Sequence, residues 1–148
     1  MGPRPARAMT TAIDTNILVA LWNEDDALNT LARSALDAAF GRGSLVIAAP
    51  VFAELLAAPS RNGTFLDSFC RETGILVDWN LDEAVWRTAG QAFRNYVVRR
   101  RKQSDSGPRR ILADFLIGAH AFQNGFPLLT LDDGLYRAAF PRLTIETI

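Results

Sequence analysis

Short apolar runs rich in β-branched residues alternate with longer stretches of helical periodicity along almost the whole chain, and this alternation restricts the fold more than any other feature. Parallel strands need a crossover of about a dozen residues or more, usually a helix, whereas antiparallel strands can be joined by a tight turn. Continuously apolar strands are typical of a sheet covered on both faces. We therefore predict an α/β fold: a three-layer α/β/α sandwich with a mainly parallel central sheet.

The pattern predicts five strands and seven helices. The strands are expected at Thr11–Ile13, Leu45–Ala48, Ile75–Val77, Leu128–Thr130 and Leu143–Ile145. The helices are expected at Thr15–Trp22, Asp26–Phe40, Pro50–Ala58, Gly63–Arg71, Leu81–Arg101, Pro108–Gln123 and Asp133–Ala139. Pro50 suits the first turn of a helix, and Asn124-Gly125 suits a helix end.

Length and composition favour one intracellular domain. The 148 residues can bury a core without disulfides or structural zinc. The single cysteine, Cys70, excludes an internal disulfide and a cysteine-rich zinc centre, and it favours a reducing cytoplasm. No apolar run is long enough to span a membrane. We interpret residues 1–10 as a disordered tail, with Met1 or Met9 as the start, and residues 11–148 as a single domain.

Four acidic residues fall where the predicted topology brings them to one edge of the sheet. Asp14 directly follows the first strand, and Asp132 follows the fourth. Glu54 lies about one turn into the helix after the second strand. Asp114 lies near the start of a helix that must run away from the carboxyl edge to reach the next strand. Because sites in open parallel sheets form at the carboxyl edge, we expect the four side chains to meet there.

Such a cluster of acids indicates a divalent metal. Neighbouring carboxylates repel one another, and a bound cation removes that conflict. Ligands that are all oxygen suit Mg²⁺ or Mn²⁺, as one ion or two. A metal of this kind can activate water and hold a phosphate oxygen, so the predicted chemistry is phosphodiester hydrolysis without a Ser, Cys or His nucleophile. Glu54 and Asp114 also lie within apolar helical stretches, where an unpaired acid is costly.

Each acid also has a simpler interpretation. Asp14 and Asp132 could cap the helices that follow them. Glu54 and Asp114 could lie at the partly exposed edges of amphipathic helices. The fourth acid could also be Asp133, which directly follows Asp132. Four such coincidences at one edge are less expected than one shared site.

These residues resemble the PIN-domain family, and within it the VapC-like toxins of bacterial toxin–antitoxin pairs. The family opens with a strand followed by Asp-x-Asn, places a second acid in a helix and a third in a helix of small residues, and closes with Thr-x-Asp. The matching positions here are Asp14, Asn16, Glu54, Asp114, Thr130 and Asp132. Their order and spacing agree with the family from Thr11 onward.

The resemblance implies a metal-dependent endoribonuclease that uses magnesium or manganese. It also implies a homodimer, and inhibition by a small antitoxin whose tail enters the active site. Asn16 would orient Asp14, and Thr130 would bond an active-site acid or a metal-bound water. We therefore expect the toxin of a type II toxin–antitoxin pair, with RNA as its substrate. Two alternatives stay open: a PIN-like nuclease that processes RNA or cuts DNA flaps, and a non-catalytic interaction module on the same scaffold.

Basic residues crowd one stretch of a chain whose formal net charge is zero. Arg99 and Arg100 belong to a run at a predicted helix end, where cations also stabilise the helix dipole. Arg109 and Arg110 come shortly before Asp114. Because Arg side chains bind phosphates, we predict that these four contact RNA or the acidic tail of an antitoxin.

Overall fold

The computed structural model describes residues 9–59, 61–103 and 110–148, and five strands lie within these ranges. They are β1 (Thr11–Ile13), β2 (Leu45–Ala48), β3 (Leu76–Asp78), β4 (Leu128–Leu129) and β5 (Ile145–Glu146). Their order in the sheet is β3-β2-β1-β4-β5, and every neighbouring pair is parallel. The predicted parallel sheet is confirmed.

Seven helices connect these strands within the described ranges. They are α1 (Thr15–Trp22), α2 (Asn29–Arg42), α3 (Ala49–Leu55), α4 (Gly63–Thr73), α5 (Glu83–Gln103), α6 (Leu112–Asn124) and α7 (Asp133–Ala139). Right-handed crossovers assign α1 to α4 to one face of the sheet and α5 to α7 to the other. Packing agrees, since α1 contacts α2 and α5 contacts both α6 and α7. The three-layer α/β/α fold is therefore confirmed.

The strand order reverses between β1 and β4, and this reversal positions the site. From β1 the chain moves outward to β2 and β3, then crosses to β4 and β5 on the other side. Ligand sites in open α/β sheets lie at the carboxyl ends of the strands that flank such a reversal. Asp14 and Asp132 follow those two strands. The buried residues Ile13, Ile47 and Leu128 fix the strands beneath the site in the core.

Several predicted boundaries differ from the structure for local reasons. The second helix begins at Asn29 rather than Asp26, because the Asp26 carboxylate accepts the Leu28 amide at 2.7 Å and forms a turn. The last strand begins at Ile145 rather than Leu143, whose amide donates to the Phe140 carbonyl at 2.9 Å. The third strand lies one residue later than predicted.

Two other predictions concern segments that the structure covers only in part. The helix predicted from Pro108 begins at Leu112, and Pro108 itself lies outside the described residues. Of the predicted tail, residues 1–8 are outside the described ranges, while the Met9 amide donates to the Arg42 carbonyl at 3.1 Å. None of the described helices is both long enough and apolar enough to cross a membrane.

Candidate active site

Asp14 is the most enclosed carboxylate of the predicted site. It follows β1, caps α1, and is only 5% exposed. One carboxylate oxygen accepts the Thr15 amide at 2.7 Å, and the other accepts the Thr130 hydroxyl at 2.7 Å. Burial raises its pKa from 3.8 to about 6, although hydrogen bonds from Thr130, Thr15 and Tyr136 partly oppose this effect. The folded protein therefore holds an acid that resists ionisation.

Thr130 connects Asp14 to the chain segment after β4. Its hydroxyl donates to Asp14, and the Asp132 amide donates to the same hydroxyl oxygen at 2.9 Å. The Asn16 amide nitrogen lies 3.5 Å from that oxygen, and the Asn16 carbonyl accepts the Leu131 amide at 3.1 Å. Asn16 thus acts on Asp14 through Thr130 rather than directly, whereas Thr130 makes the acid contact that the resemblance implies.

Glu54 reaches the site through Thr15. The Thr15 hydroxyl donates to Glu54 Oε1 at 2.6 Å, although 39 positions separate the two residues in the chain. Thr15 also supplies the backbone amide bonded to Asp14. One residue at the start of α1 therefore links the acid after β1 to the acid on α3.

Asp114 lies in the first turn of α6 and faces the same edge. Its Oδ2 accepts the Ile111 amide at 3.2 Å, which caps the helix start. Burial raises its pKa and the charge of Asp132 raises it further, while the Ile111 hydrogen bond and the charge of Arg110 lower it. The charge of Asp114 in turn raises the pKa of Asp14. Asp14, Asp114 and Asp132 therefore form one electrostatically coupled group.

Asp132 and Asp133 occupy different surroundings. Asp132 pairs with Arg110, whose Nη1 lies 2.6 Å from Asp132 Oδ2, and both side chains are about one-third exposed. Asp133 instead pairs with Arg137 one turn along α7 at 3.1 Å, and that pair is more exposed. The negative charge of Asp132 raises the pKa of Asp114. This geometry favours Asp132 as the fourth acid of the group.

Tyr136 and Thr15 are site residues that the sequence analysis missed. Tyr136 is buried, and its pKa is raised by this burial, by the charges of Asp14, Asp114 and Asp132, and by hydrogen bonding to Asp14. Its position four residues after Asp132 is the spacing that puts two side chains on one face of a helix, so that signal was available. Thr15 was hidden because its role depends on a partner distant in the chain.

The donor chemistry of the site fits Mg²⁺ or Mn²⁺, since the four acids offer only oxygen ligands. Within the described ranges, however, no three His, Cys, Asp or Glu side chains converge as a ready metal centre. Two of the acids are engaged elsewhere, Glu54 by the Thr15 hydroxyl and Asp132 by the Arg110 guanidinium. A metal would therefore require these two side chains to change partners.

The four arginines predicted to contact RNA or an antitoxin differ in their surroundings. Arg110 lies in the acid group, while Arg109 is outside the described residues. Arg99 is exposed on α5, and Arg100 donates to the Tyr96 hydroxyl at 3.2 Å. The buried His120 on α6 hydrogen-bonds Asp78 of β3 at 2.9 Å.

Comparison with solved structures found similar folds in toxin–antitoxin complexes. One is the VapBC2 complex from Rickettsia felis bound to a DNA fragment from their promoter, with 19% identity, 94% of this chain and 98% of that chain covered, and a TM-score of 0.61. A second is VapBC-1 from nontypeable Haemophilus influenzae, with 19% identity, the same coverages and a TM-score of 0.63. A third is FitAcB from Neisseria gonorrhoeae, with 22% identity, coverages of 93% and 96%, and a TM-score of 0.60.

Sequence comparisons gave two results. No curated protein sequence matched the chain. A family model described as the PIN domain matched residues 11–141, a span that includes β1, β4 and all four predicted acids. The chain therefore belongs to the PIN-domain family.

Proposed function

We propose that this protein is a metal-dependent endoribonuclease, the toxin of a type II toxin–antitoxin pair. The observation that carries the proposal is the buried Asp14 carboxylate at the point where the strand order reverses, beside the charge of Asp114, which is itself affected by the charge of Asp132. Membership of the PIN-domain family supports nuclease chemistry, because the members of that family are generally nucleases.

Burial of the Asp14 carboxylate beside the charge of Asp114 is costly unless a ligand offsets it. Asp14, Glu54, Asp114 and Asp132 are the residues that would hold Mg²⁺ or Mn²⁺. The bound metal would supply an activated water and stabilise charge on the phosphate. Thr130 and Tyr136 would fix the Asp14 carboxylate, and Thr15 would orient both Asp14 and Glu54.

Cleavage of RNA tests the catalytic part of the proposal. The purified protein should cut total RNA with Mg²⁺ or Mn²⁺, and EDTA should stop the reaction. Asp14→Asn removes one carboxylate at nearly constant volume and should reduce cleavage at least about 100-fold, a loss typical of removing one essential catalytic group. Asp37→Asn, on the exposed surface of α2, is the matched control and should cleave normally. Undiminished cleavage by Asp14→Asn would reject the proposal.

Mapping the cut ends would then identify the RNA. Sequence-selective proteins usually bind unstacked bases, so we expect the cuts in single-stranded loops. A duplex DNA and a flapped DNA of the same sequence provide the comparison. Faster cutting of the DNA flap would contradict an RNA substrate while leaving the metal site intact.

The toxin role rests on the solved neighbours. One similar structure is described as a toxin–antitoxin complex from Klebsiella pneumoniae, with 18% identity and a TM-score of 0.59. Expression of the wild type should arrest growth, Asp14→Asn should not, and a small protein encoded beside the gene should relieve the arrest. Normal growth together with metal-dependent cleavage would favour an RNA-processing nuclease. We also propose a homodimer in the cytoplasm, and light scattering would measure its mass.

A further inference from the structure

Arg110 is the cation that the structure places inside the acid group. Its Nη1 lies 2.6 Å from Asp132 Oδ2, and its charge lowers the pKa of Asp114. About one-third of each paired side chain stays exposed, so solvent and solutes reach the pair. A surface ion pair of this kind adds little to fold stability. Its place among the acids therefore calls for another explanation.

The backbone of Arg110 is held by a hydrogen bond, and its side chain is long enough to reach different partners. The backbone amide donates to the Tyr96 hydroxyl at 2.9 Å. The Tyr96 ring packs near the Phe115 ring of α6, with 5.4 Å between centroids. The guanidinium carries five N–H donors, which suit the oxygens of a carboxylate or a phosphate equally well. Arg110 can thus exchange one anionic partner for another without moving the backbone.

A divalent cation and the guanidinium would compete for Asp132. Both are attracted to the same carboxylate, and they repel each other across a short distance. In the structure Asp132 is engaged by Arg110. If Asp132 bound a metal instead, the Arg110 guanidinium would lose its carboxylate partner. It would then lie close to the expected position of the RNA phosphate.

We propose that Arg110 is a phosphate-binding residue of this site that rests on Asp132 in the metal-free protein and contacts an RNA phosphate once a cation has taken that carboxylate. The proposal rests on the proposed function. It assigns Arg110 two opposite effects: it weakens metal binding to the free protein, and it strengthens RNA binding. A purely structural ion pair would not have both.

The test is Arg110→Gln, which removes the charge and keeps a polar side chain. Isothermal titration at pH 8 with Mn²⁺ and no RNA should give a Kd about tenfold lower than for the wild type, which is about 1.4 kcal/mol. Binding of a single-stranded 2′-O-methyl RNA, which resists cleavage, is measured in Ca²⁺ across a salt series. Its Kd should rise about tenfold, and the slope of log K against log salt should shrink by about one, because one phosphate contact is lost.

Two further variants make the result specific. Arg137→Gln removes the guanidinium of the neighbouring, more exposed Asp133 pair and should change neither Kd by more than about twofold. Arg110→Lys keeps the charge but loses the two-pronged geometry, so its salt slope should equal that of the wild type. Circular dichroism checks that each variant is folded. If Arg110→Gln unfolded, Arg110→Met would replace it in both assays, and an unchanged salt slope for that variant would overturn the phosphate contact.

Failure of the inference and failure of the proposed function give different results. If the wild type binds Mn²⁺ and RNA but Arg110→Gln binds Mn²⁺ no more tightly, Arg110 is not a competitor and the inference is wrong. An unchanged salt slope would equally overturn the phosphate contact. If the wild type itself binds neither Mn²⁺ nor RNA, the proposed function fails.

Discussion

Replacing Asp14 by Asn should make the metal-free protein more stable at neutral pH, although it removes the central acid of the site. Asp14 is 5% exposed and its pKa lies near 6 in the folded chain, against 3.8 for the ordinary carboxyl. The folded state therefore favours the protonated acid. Asparagine has nearly the same shape and carries no charge at any pH, so it should escape the cost of ionising a buried group.

The size of the effect follows from proton linkage. Below about pH 4, Asp14 is protonated in both states, and the folded protein keeps its full stability. Between about pH 4 and pH 6 the unfolded chain has released this proton while the folded chain keeps it, so stability falls with rising pH, and it levels off once the folded acid ionises above about 6. The difference between 3.8 and about 6, at about 1.36 kcal/mol for each pH unit, is about 3 kcal/mol.

Urea unfolding from pH 4 to pH 8 in EDTA measures this loss. The free energy of unfolding of Asp14→Asn minus that of the wild type should rise by about 3 kcal/mol across this range and then level off. Altered hydrogen bonding of Asn at position 14 to Thr15 and Thr130 changes this free-energy difference by the same amount at every pH, so it does not change how the difference varies with pH. Asp37→Asn, an exposed carboxyl, should give a flat difference. A flat difference for Asp14→Asn as well would refute the argument that Asp14 is buried at a cost.

Four further predictions test the metal site and the packing of the helices. Mn²⁺ should raise the thermal unfolding temperature of the wild type but not of Asp14→Asn, and an equal rise in both would place the ion elsewhere. Thr130→Val removes the hydroxyl bonded to Asp14 and should cost about 1–3 kcal/mol in urea unfolding. Gly118→Ala should cost about 1–3 kcal/mol, because a Cβ there would overlap the Phe140 ring. Gly90→Ala on α5, where a Cβ meets open space, should instead stabilise the protein by about 0.5–1 kcal/mol in the same assay.

Elements whose pattern is local were predictable from the sequence. β1 and β2 match their predicted bounds, since all their residues are buried in the centre of the sheet and all but Thr11 are apolar. α1 and α7 also match, because each begins directly after an acid, Asp14 or Asp132, in the segment that follows a strand. Edge strands were less predictable. Leu76 of β3 is 58% exposed, so burial does not set its register as it does in the centre.

Positions of the acids were predictable from topology, whereas their partners were not. The alternation of strands and helices predicts that Asp14 and Asp132 lie at the carboxyl edge of the sheet, whereas the pairing of β1 with β4 is known only from the structure. The bond between Thr15 and Glu54 and the pair between Arg110 and Asp132 join residues far apart in the chain. Nothing in local composition distinguishes such a partner from the many other polar residues.

Helix capping and a functional site are not alternatives for Asp14, because the structure contains the cap and capping does not account for the burial. One carboxylate oxygen caps α1 through the Thr15 amide. A cap needs only that oxygen and works at the surface, where Ser, Asn or a solvated Asp does the same at no electrostatic cost. Here the second oxygen is enclosed by Thr130 and Tyr136 beside further acids, and ionisation at neutral pH costs about 3 kcal/mol. Proteins are stable by only about 5–15 kcal/mol, so a cost of this size for a cap alone would serve no structural purpose. A bound cation would offset the cost of ionising Asp14. Unfolding of the wild type and of Asp14→Asn against pH, with and without Mn²⁺, measures both this cost and how far the cation offsets it.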